Sequence, residues 1–585
     1  MAKKQEFERL ITEFGKNVDV NCPLPEYPRP QMRRDSYVNL NGEWDYAITP
    51  MRLDNPVYSG KILVPFSPES ILSGVERILQ PGEYLYYKRY FSLPEGFNRG
   101  RVLLNFGAVD YEATVYLNDK QVGYHRGGYY PFSLDITDFL KDGDNKLVVK
   151  VSDPSDTAPG SRGKQKLKRG GIFYTPQSGI WQTVWLESVP DVYVTAMYLT
   201  PDIDSDSLEV RVLTNAPYSS GEAVAYAGDK VMAKGSLING KCTLKFENYE
   251  LWSPENPALY DLVVVVNEDV IVSYFGMRKF SVGKDDAGVM RLKLNNKPYF
   301  HNGLLDQGYW PDGLYTPPGD EAMIFDIAEM KKLGFNMLRK HIKLEPMRWY
   351  YHCDRLGMLV WQDMVNGGMG ANTVLNGIRG FLHLPPDDSK YKLFGRQDAE
   401  GRKEYYTDTE RTVLGLYNCV SIALWVPFNE SWGQFDALKA TDFVRALDPT
   451  RPVDHASGWH DQGGGDFCSL HIYFKPVSIP KPDKHGRVVI LSEFGGYSVK
   501  IEGHVFNKTK SFGYRKFADT VSFDNAYHRL FEHQILPLIP DGLSATVYTQ
   551  LSDVEDEING LYTYDRKILK LDPERLKKLN AKLKL

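Results

Sequence analysis

The second half of the chain alternates short apolar runs with helical stretches. From about residue 284, runs rich in β-branched residues are separated by stretches with helical periodicity, such as residues 320–333 and 435–447. This alternation is typical of β/α units, whose strands form a parallel sheet covered by helices. Eight such runs in roughly 300 residues predict a (β/α)8 TIM barrel. The runs lie at residues 299–302, 336–341, 359–363, 423–429, 453–456, 467–473, 488–493 and 544–550.

Two of these runs stop abruptly at a glutamate. Glu430 comes directly after the fourth run, and Glu493 ends the seventh. In a barrel the carboxyl ends of all strands meet at one face, where the chemistry of such folds is found. Each glutamate taken alone also fits a helix cap or a partner for a surface lysine. As a matched pair facing one cleft, the two carboxylates are the minimum needed to cleave a glycosidic bond.

The first half of the chain contains short strands and no long helical period. Residues 1–189 include runs such as 101–106 and 146–151, bounded by Gly, Asn and Asp turns, and predict a two-sheet β-sandwich. Residues 190–283 repeat the pattern on a smaller scale. They predict an immunoglobulin-like sandwich without a cysteine pair across its sheets. A chain of this length therefore divides into these two domains and a barrel over residues 284–585.

Composition restricts the partners and the compartment. The chain has 70 Lys and Arg against 75 Asp and Glu, a net charge of -5, so neither nucleic acid nor a membrane surface is an expected partner. No apolar run is long enough to span a bilayer. The five cysteines are scattered and odd in number, which argues against a disulfide framework or a zinc site. Because the N-terminus lacks the apolar core of a secretory signal, we expect a cytoplasmic enzyme.

Two other features of the sequence concern the site. No cluster of His, Asp or Glu has metal-ligand spacing and no glycine-rich loop suggests a nucleotide, so we expect neither a metal nor a cofactor. Long insertions follow the third and seventh barrel strands, at residues 365–394 and 497–515. Loops of this length are usually functional or disordered, and the first is a candidate lid on the catalytic face. The sequence leaves open whether either closes the mouth, and it is compatible with a homo-oligomer.

Several motifs, in one order along the chain, resemble family 2 of the glycoside hydrolases. This family contains β-galactosidases, β-glucuronidases and β-mannosidases. The resemblance implies that the first domain is a jelly roll of the sugar-binding type and that the barrel is catalytic. The motifs lie at residues 40–44, 106–110, 115–118 and 178–182 in the first domain, and at residues 336–339, 425–430 and 492–495 in the barrel.

The resemblance assigns roles to five residues. Glu430 is implied to be the general acid/base and Glu493 the nucleophile of a retaining mechanism, with the two carboxyls about 5–5.5 Å apart. Asn429 is implied to hydrogen-bond the sugar 2-hydroxyl, with a turn residue as its alternative. Tyr473 is implied to hydrogen-bond the nucleophile and Arg339 to steady it. Their alternatives are a core aromatic and a surface salt bridge.

Other candidate sugar ligands rest on weaker matches. His341 sits one place earlier than the family pattern, so it fits a sugar ligand or a structural histidine equally. Tyr548 stands where the family has a platform tryptophan, and a tyrosine can still stack on a sugar. Asp306, Trp310 and Trp459 are candidates for lining the subsite, or for packing alone.

The sugar itself is expected to be neutral. The lysine that uronide-specific members carry after strand eight is missing near Asn559, and only Lys508 and Lys510 of the second insertion offer a substitute. The first hypothesis is therefore a retaining exo-β-glycosidase acting on a carbohydrate with a terminal neutral sugar, β-galactoside above others. The alternatives are a β-glucuronidase- or galacturonidase-like enzyme and an inactive carbohydrate-binding protein.

Overall fold

The computed structural model of the chain describes residues 6–371, 373–382 and 384–585, and its first unit is a β-sandwich. Two sheets, of six and four strands, enclose one apolar core. The alternation of Ala113, Val115 and Leu117 with outward-facing neighbours in one strand shows why these segments form half-buried strands. The strands are β1 (Val38–Asn39), β2 (Gly42–Thr49), β3 (Gly60–Val64), β4 (Tyr84–Phe91), β5 (Arg101–Phe106), β6 (Val109–Asp110), β7 (Glu112–Leu117), β8 (Lys120–Arg126), β9 (Phe132–Asp135), β10 (Asn145–Ser152), β11 (Gly179–Ile180) and β12 (Val184–Val189).

A second, smaller sandwich follows. Its sheets run in the orders β13-β14-β17 and β16-β15-β18-β19 around a separate apolar core. Leu208, Val210 and Val212 are buried in it, while Glu209 and Arg211 between them face solvent. The strands are β13 (Val194–Asp202), β14 (Ser207–Thr214), β15 (Gly221–Ala227), β16 (Lys230–Ser236), β17 (Lys241–Lys245), β18 (Tyr260–Val266) and β19 (Asp269–Phe275).

The remainder of the chain forms the TIM barrel. Seven of the eight predicted runs overlap a strand of one curled parallel sheet. The strands of this part are β20 (Phe280–Lys284), β21 (Met290–Leu294), β22 (Lys297–Pro298), β23 (His301–Asp306), β24 (Met337–Lys340), β25 (Leu359–Asp363), β26 (Ile422–Val426), β27 (Phe467–Ile472), β28 (Val488–Gly495), β29 (Tyr497–Val499), β30 (Arg515–Phe517) and β31 (Leu543–Thr549). The parallel sheet has the order β26-β25-β24-β23-β31-β28-β27.

Helices cover the outside of the sheet. The two helices expected from periodicity are present as α2 and α6, and the first insertion contains α4. None of the helices among the described residues has the length and apolarity needed to cross a membrane. The helices are α1 (Glu13–Lys16), α2 (Asp320–Lys332), α3 (Met347–Leu356), α4 (Thr373–Phe381), α5 (Ala399–Gly415), α6 (Ala437–Leu447), α7 (Thr520–Leu530) and α8 (Pro573–Asn580).

The fifth predicted run does not form a regular strand. Residues 452–457 instead lie beside β26 through two isolated parallel bridges, one at Trp425 and one joining Asn429 to Ser457. The pairing is regular at Val453, where the Trp425 amide donates to the carbonyl of Pro452 and the Asp454 amide donates to the carbonyl of Trp425. It is interrupted beyond that bridge, where Pro427 has no amide N–H to donate. The barrel therefore has an irregular segment in its fifth position, next to the strand that leads to Asn429.

A small antiparallel sheet, β20-β21-β22, covers the end of the barrel where the parallel strands begin, and Arg291 in it donates to the carbonyl of Leu543, the first residue of β31. Phe280, Leu292 and Leu294 pack in one core with the lower barrel residues Leu359 and Trp361. The sequence predicts a domain boundary between residues 283 and 284, and these two residues lie within strand β20. The position of this boundary remains a prediction.

Candidate active site

Glu493 lies in β28, every residue of which is buried. The register between β27 and β28 shifts by one residue after Leu470, so that His471 pairs with Glu493 rather than with Ser492. Such an irregularity re-aims a side chain, here at the carboxyl end of the strand. The side chain of Glu493 keeps 5% exposure, which places its carboxyl in a nearly closed site.

Arg339, fully buried at the end of β24, holds Glu493 in place. Its guanidinium forms a paired contact with Asp363 at 3.0 and 3.1 Å. Its Nη1 donates to the Oε1 of Glu493 at 3.2 Å and to the carbonyl of Ser492 at 3.0 Å. Nη2 donates to the Oδ1 of Asn429 at 2.8 Å. One side chain therefore joins the ends of four strands, β24, β25, β26 and β28.

Tyr473 supplies a second donor to Glu493. Its hydroxyl donates to Oε2 of Glu493 at 2.5 Å and lies 3.0 Å from the hydroxyl of Thr549. Burial raises the pKa of the Tyr473 phenol well above its usual value, so the phenol keeps its proton. The ring of Tyr514, from the second insertion, stacks on the Tyr473 ring with centroids 3.7 Å apart.

Glu430 occupies a turn directly after β26. Its backbone is left-handed, with φ of 45°, and its amide donates to the carbonyl of Ser457 in the irregular fifth segment at 3.0 Å. Burial raises the pKa of the Glu430 carboxyl to about 7, against the opposing charges of Lys164 and Arg339. A carboxyl with that pKa is able to hold a proton near neutral pH.

His471 lies between the two glutamates. Its Nδ1 is 2.8 Å from Oε1 of Glu430 and 3.5 Å from Oε2 of Glu493. A carboxyl oxygen of each glutamate and an imidazole nitrogen all lie within 4.8 Å of one another. Burial lowers the pKa of His471 to about 4, so the ring is neutral at pH 7. The sequence reading missed this residue, although His471 and Tyr473 share a strand face because they are two residues apart.

Three polar groups near the glutamates have no hydrogen-bond partner within the described residues. Nδ2 of Asn429 and Nε2 of His341 are buried without one. His341 faces the site, with Nε2 3.5 Å from Oε1 of Glu493, and its pKa is lowered well below the usual value by burial. Lys164 is 6% exposed, and its Nζ lies over the ring faces of Tyr174 and Trp432. These groups are available to a polar ligand.

The first domain contributes to this site through residues 162–174. The ring of Phe173 stacks on Trp432, with centroids 5.2 Å apart, and the hydroxyl of Tyr174 donates to Glu557. The sequence reading did not single out this segment. Its signal is the alternation of basic residues in a chain of negative net charge, at Arg162, Lys164, Lys166 and Lys168.

A cavity of about 270 Å³ opens beside Glu430. Trp459 and Trp432 line it together with Phe173, and residues 366–371 of the first insertion form its outer wall. Trp432 therefore supplies an apolar surface beside Glu430, whereas Trp425 and Phe428 of the same stretch pack in the hydrophobic core.

Three candidate residues are not at the site. Tyr548 faces the helices and packs against Tyr527 and Phe531, because its neighbour Thr549 faces the barrel interior and alternate strand residues face opposite sides. Asp306 also faces outward, where its carboxyl pairs with Lys340 at 2.7 Å.

The third is Trp310. Its ring lies against Phe14, and the guanidinium of Arg566 lies 4.3 Å from the ring centroid. Trp310 is 3% exposed and serves packing between the N-terminal segment and the barrel.

Lys508 and Lys510 of the second insertion also point away from the two glutamates. Nζ of Lys508 pairs with Glu8 at 2.6 Å on the surface, and Lys510 is exposed. The acidic residues after β31 are buried instead, with Glu557 accepting hydrogen bonds from Tyr174 and Asn559. The described part of the second insertion therefore brings an aromatic ring to the site rather than a cation.

Among the described residues, one group of side chains has metal-ligand spacing: Glu430, His471 and Glu493. Each of these side chains already makes hydrogen bonds within the site. Their arrangement can donate and accept protons and can place a carboxylate against a bound carbon atom. We assign no metal to it.

Sequence profiles of one family match most of the chain. The sugar binding domain of glycosyl hydrolases family 2 matches residues 52–190, a further domain of glycosyl hydrolases family 2 matches residues 183–278, and the TIM barrel domain of the same family matches residues 314–487.

Individual proteins are also similar to this chain, although their sequence identity to it is low. A β-galactosidase of Streptococcus thermophilus is 25% identical over 427 residues, which are 69% of this chain and 39% of that protein. The chain thus spans about two fifths of the length of such curated relatives. Among solved structures, a β-glucuronidase of Ruminococcus gnavus superposes with a TM-score of 0.75 at 17% identity, covering 96% of this chain and 99% of that one. A β-galacturonidase of Eisenbergiella tayi gives 0.69 at 18%, covering 95% and 99%.

Proposed function

The chain belongs to family 2 of the glycoside hydrolases, and from this premise we propose that it is a retaining exo-β-glycosidase acting on terminal β-linked neutral sugars. The observation that supports this most is that one carboxyl oxygen of Glu430 and one of Glu493 lie within 4.8 Å of each other, in unequal surroundings. A retaining pair requires carboxyls about 5–5.5 Å apart, whereas an inverting pair needs room for a water, with about 6.5–9.5 Å between them.

The proposed first step forms a glycosyl-enzyme. A carboxylate oxygen of Glu493 attacks the anomeric carbon and the bond to the leaving oxygen breaks. Glu430 gives its proton to that oxygen, which its pKa of about 7 allows at neutral pH. In the second step a water attacks the same carbon, Glu430 takes the water's proton, and the ester bond to Glu493 breaks.

The surrounding residues support these roles. Arg339 and Tyr473 orient Glu493 through two hydrogen bonds. The free Nδ2 of Asn429 is available to a sugar hydroxyl, in a side chain fixed by Arg339. His341 and Lys164 offer further polar contacts. The nearly closed carboxyl site favours attack on a chain end over attack within a chain.

The proposed sugar is neutral, with β-galactoside first. Buried Glu557 stands close enough to raise the pKa of Glu430, and an acidic wall of this kind disfavours a substrate carboxylate. Lys508 and Lys510 lie outside the mouth, and relatives such as that of S. thermophilus carry the name β-galactosidase. The five unpaired cysteines also support a reducing compartment, which we propose to be the cytoplasm.

The test is a panel of aryl β-glycosides together with an activated 2-deoxy-2-fluoro glycoside. We expect the galactoside to be hydrolysed best and the fluoro sugar to label Glu493, located by mass spectrometry of the digested protein. Labelling of another residue, or release of an α-configured first product, would reject the double displacement. Binding of sugars without any turnover would instead identify a carbohydrate-binding protein.

One outcome of the panel would change only the proposed class of sugar and would leave the proposed mechanism in place. Among the described residues, Lys164 is the buried cation near Glu430 that has no ion pair. Preference for a glucuronide or galacturonide, removed by Lys164→Met, would show that the substrate carries a carboxylate.

A further inference from the structure

A continuous chain of hydrogen bonds runs from Glu430 into the barrel. Nδ1 of His471 lies 2.8 Å from Oε1 of Glu430, and its Nε2 lies 3.1 Å from Oγ of Ser457. Ser457 donates to Oγ of Ser492 at 3.0 Å. The proposed mechanism uses none of the groups beyond Glu430.

The chain ends on a buried carboxylate. Oγ of Ser492 lies 2.6 Å from Oγ of Ser469, which donates to Oδ2 of Asp454 at 2.7 Å. Asp454, Ser457 and Ser492 are fully buried. Asp454 and Ser457 belong to the irregular fifth segment, which places their side chains opposite β27 and β28. We call the set His471, Ser457, Ser492 and Ser469 the relay.

Each hydroxyl in the relay has one proton, and the shorter contacts set its direction. Oγ of Ser492 lies 2.6 Å from Ser469 but 3.3 Å from the carbonyl of Leu470, and Oγ of Ser457 lies 3.0 Å from Ser492 but 3.3 Å from Ser469. When Asp454 is ionised, Ser469 donates to it, Ser492 donates to Ser469, and Ser457 donates to Ser492. Oγ of Ser457 then accepts from Nε2–H of His471, which leaves Nδ1 without a proton. A bare Nδ1 accepts a hydrogen bond from the protonated carboxyl of Glu430.

We propose that His471 is a positioning residue that holds Glu430 in its acid form, and that the relay fixes the tautomer of His471 through the charge of Asp454. This proposal rests on the proposed role of Glu430 as acid/base. The opposite orientation of all these hydrogen bonds conserves the number of protons as well. In it Glu430 has given its proton to Nδ1 of His471, each group of the relay has passed one proton to the next, and Asp454 is protonated. The neutral ring therefore complements either protonation state of Glu430.

Other charged groups around the relay act on the same protons. Glu493, Arg339 and His341 face His471. The groups that face Glu430 are Lys164, Arg339, Glu557, Tyr473 and Tyr514. Asp454 is faced by His455, Arg339 and Arg487, and burial raises its pKa. These charged groups remain in place in a variant that replaces only a serine of the relay. Such a variant therefore tests the hydrogen bonds of the relay while the charges around Glu430 stay constant.

The test compares Ser457→Ala with Ser544→Ala. The first interrupts the relay between His471 and Ser492, and the second removes a fully buried barrel-strand hydroxyl outside it. With the relay cut, His471 is free to carry its proton on Nδ1 and to donate to the Glu430 carboxylate, which favours ionisation. We expect the alkaline limb of kcat/KM, measured with a poor leaving group, to move to lower pH by at least about half a unit in Ser457→Ala and not in Ser544→Ala.

A second variant and a spectroscopic measurement complete the test. Asp454→Asn removes the terminal charge and should move the same limb in the same direction. In 15N-histidine NMR spectra, with the His471 signal assigned by its loss in His471→Asn, the wild type should show the Nε2–H tautomer below the limb. Equal limbs in Ser457→Ala and Ser544→Ala, or an Nδ1–H tautomer in the wild type below the limb, would overturn the relay. The spectra need no substrate, so they remain decisive even if the fluoro sugar fails to label Glu493 and the proposed function falls.

Discussion

The ring of Tyr514 lies flat on the ring of Tyr473, with centroids 3.7 Å apart and planes 6° apart. Tyr514 belongs to the insertion at residues 497–515, and the Tyr473 hydroxyl donates to Glu493. The insertion therefore supports the group that orients the proposed nucleophile.

Replacing Tyr473 by Phe should lower kcat/KM by about 10- to 150-fold, because a hydrogen bond to a charged group contributes roughly 1.5–3 kcal/mol. Tyr514→Phe keeps the stacked ring and serves as the control, with activity close to that of the wild type. Steady-state kinetics on an aryl galactoside measure both. Full activity in Tyr473→Phe would mean that the phenol does not assist Glu493.

Glu430→Ala should keep substantial activity on substrates with good leaving groups, which need no proton, and lose it on poor ones. The second step then lacks a base and becomes slow. Added azide should restore turnover and give a β-glycosyl azide, identified by NMR. Glu493→Ala should be inactive on every substrate. A uniform loss across leaving groups in Glu430→Ala, without azide rescue, would remove Glu430 from the acid/base role.

The pH dependence should follow the protonated fraction of Glu430. Burial raises the pKa of this carboxyl to about 7, so kcat/KM for a poor leaving group should fall as pH rises through about 7. An activated substrate should not show this fall, since its leaving group needs no proton. Activity on the poor leaving group that is undiminished at pH 9 would contradict the assignment.

The same carboxyl should make stability depend on pH. Below about pH 4.5 Glu430 is protonated in both the folded and the unfolded protein. Between about pH 4.5 and 7 it is ionised in the unfolded chain but still protonated in the folded one, so the free energy of unfolding falls with rising pH. Above about pH 7 it is ionised in both, and this contribution stays constant. The loss is on the order of 3 kcal/mol. Glu430→Gln avoids it, so its thermal midpoint should exceed that of the wild type by more at pH 8 than at pH 5. Glu574→Gln, at an exposed glutamate, should give no such widening.

The double variant Lys508→Ala and Lys510→Ala should hydrolyse galactoside at a rate within about twofold of the wild type, because exposed ion pairs contribute little. Lys164→Met should lower kcat/KM by about tenfold or more, since it removes a buried polar group from the site. Kinetics on the same aryl galactoside compare the two. A large effect from the double variant alone would place the second insertion over the mouth.

Much of the site was predicted from the residues at the carboxyl ends of the predicted barrel strands. Arg339, Asn429, Tyr473 and Glu493 all lie where a predicted strand reaches the catalytic face, and the structure brings their side chains into contact. The barrel topology alone dictates this convergence, because parallel strands end at one rim.

Residues whose placement depends on strand facing or on domain packing were not accessible from one sequence. Tyr548 and Asp306 sit at strand ends but face outward, and a shift of one residue in facing exchanges the two sides of a strand. Lys164 reaches the site only because the first domain packs on the barrel. The irregular fifth segment, in turn, was predicted as a strand from its apolar run, although Pro427 on the neighbouring strand has no amide N–H to continue the pairing beyond Val453.

The stack of Phe173 on Trp432 joins the first domain to the turn that bears Glu430. A chimera that paired this barrel with the sandwich of a distant relative would exchange one face of that stack, together with Lys164. Recombination at the domain border would thus alter the proposed catalytic centre, so the two domains should be exchanged together in any engineered chimera.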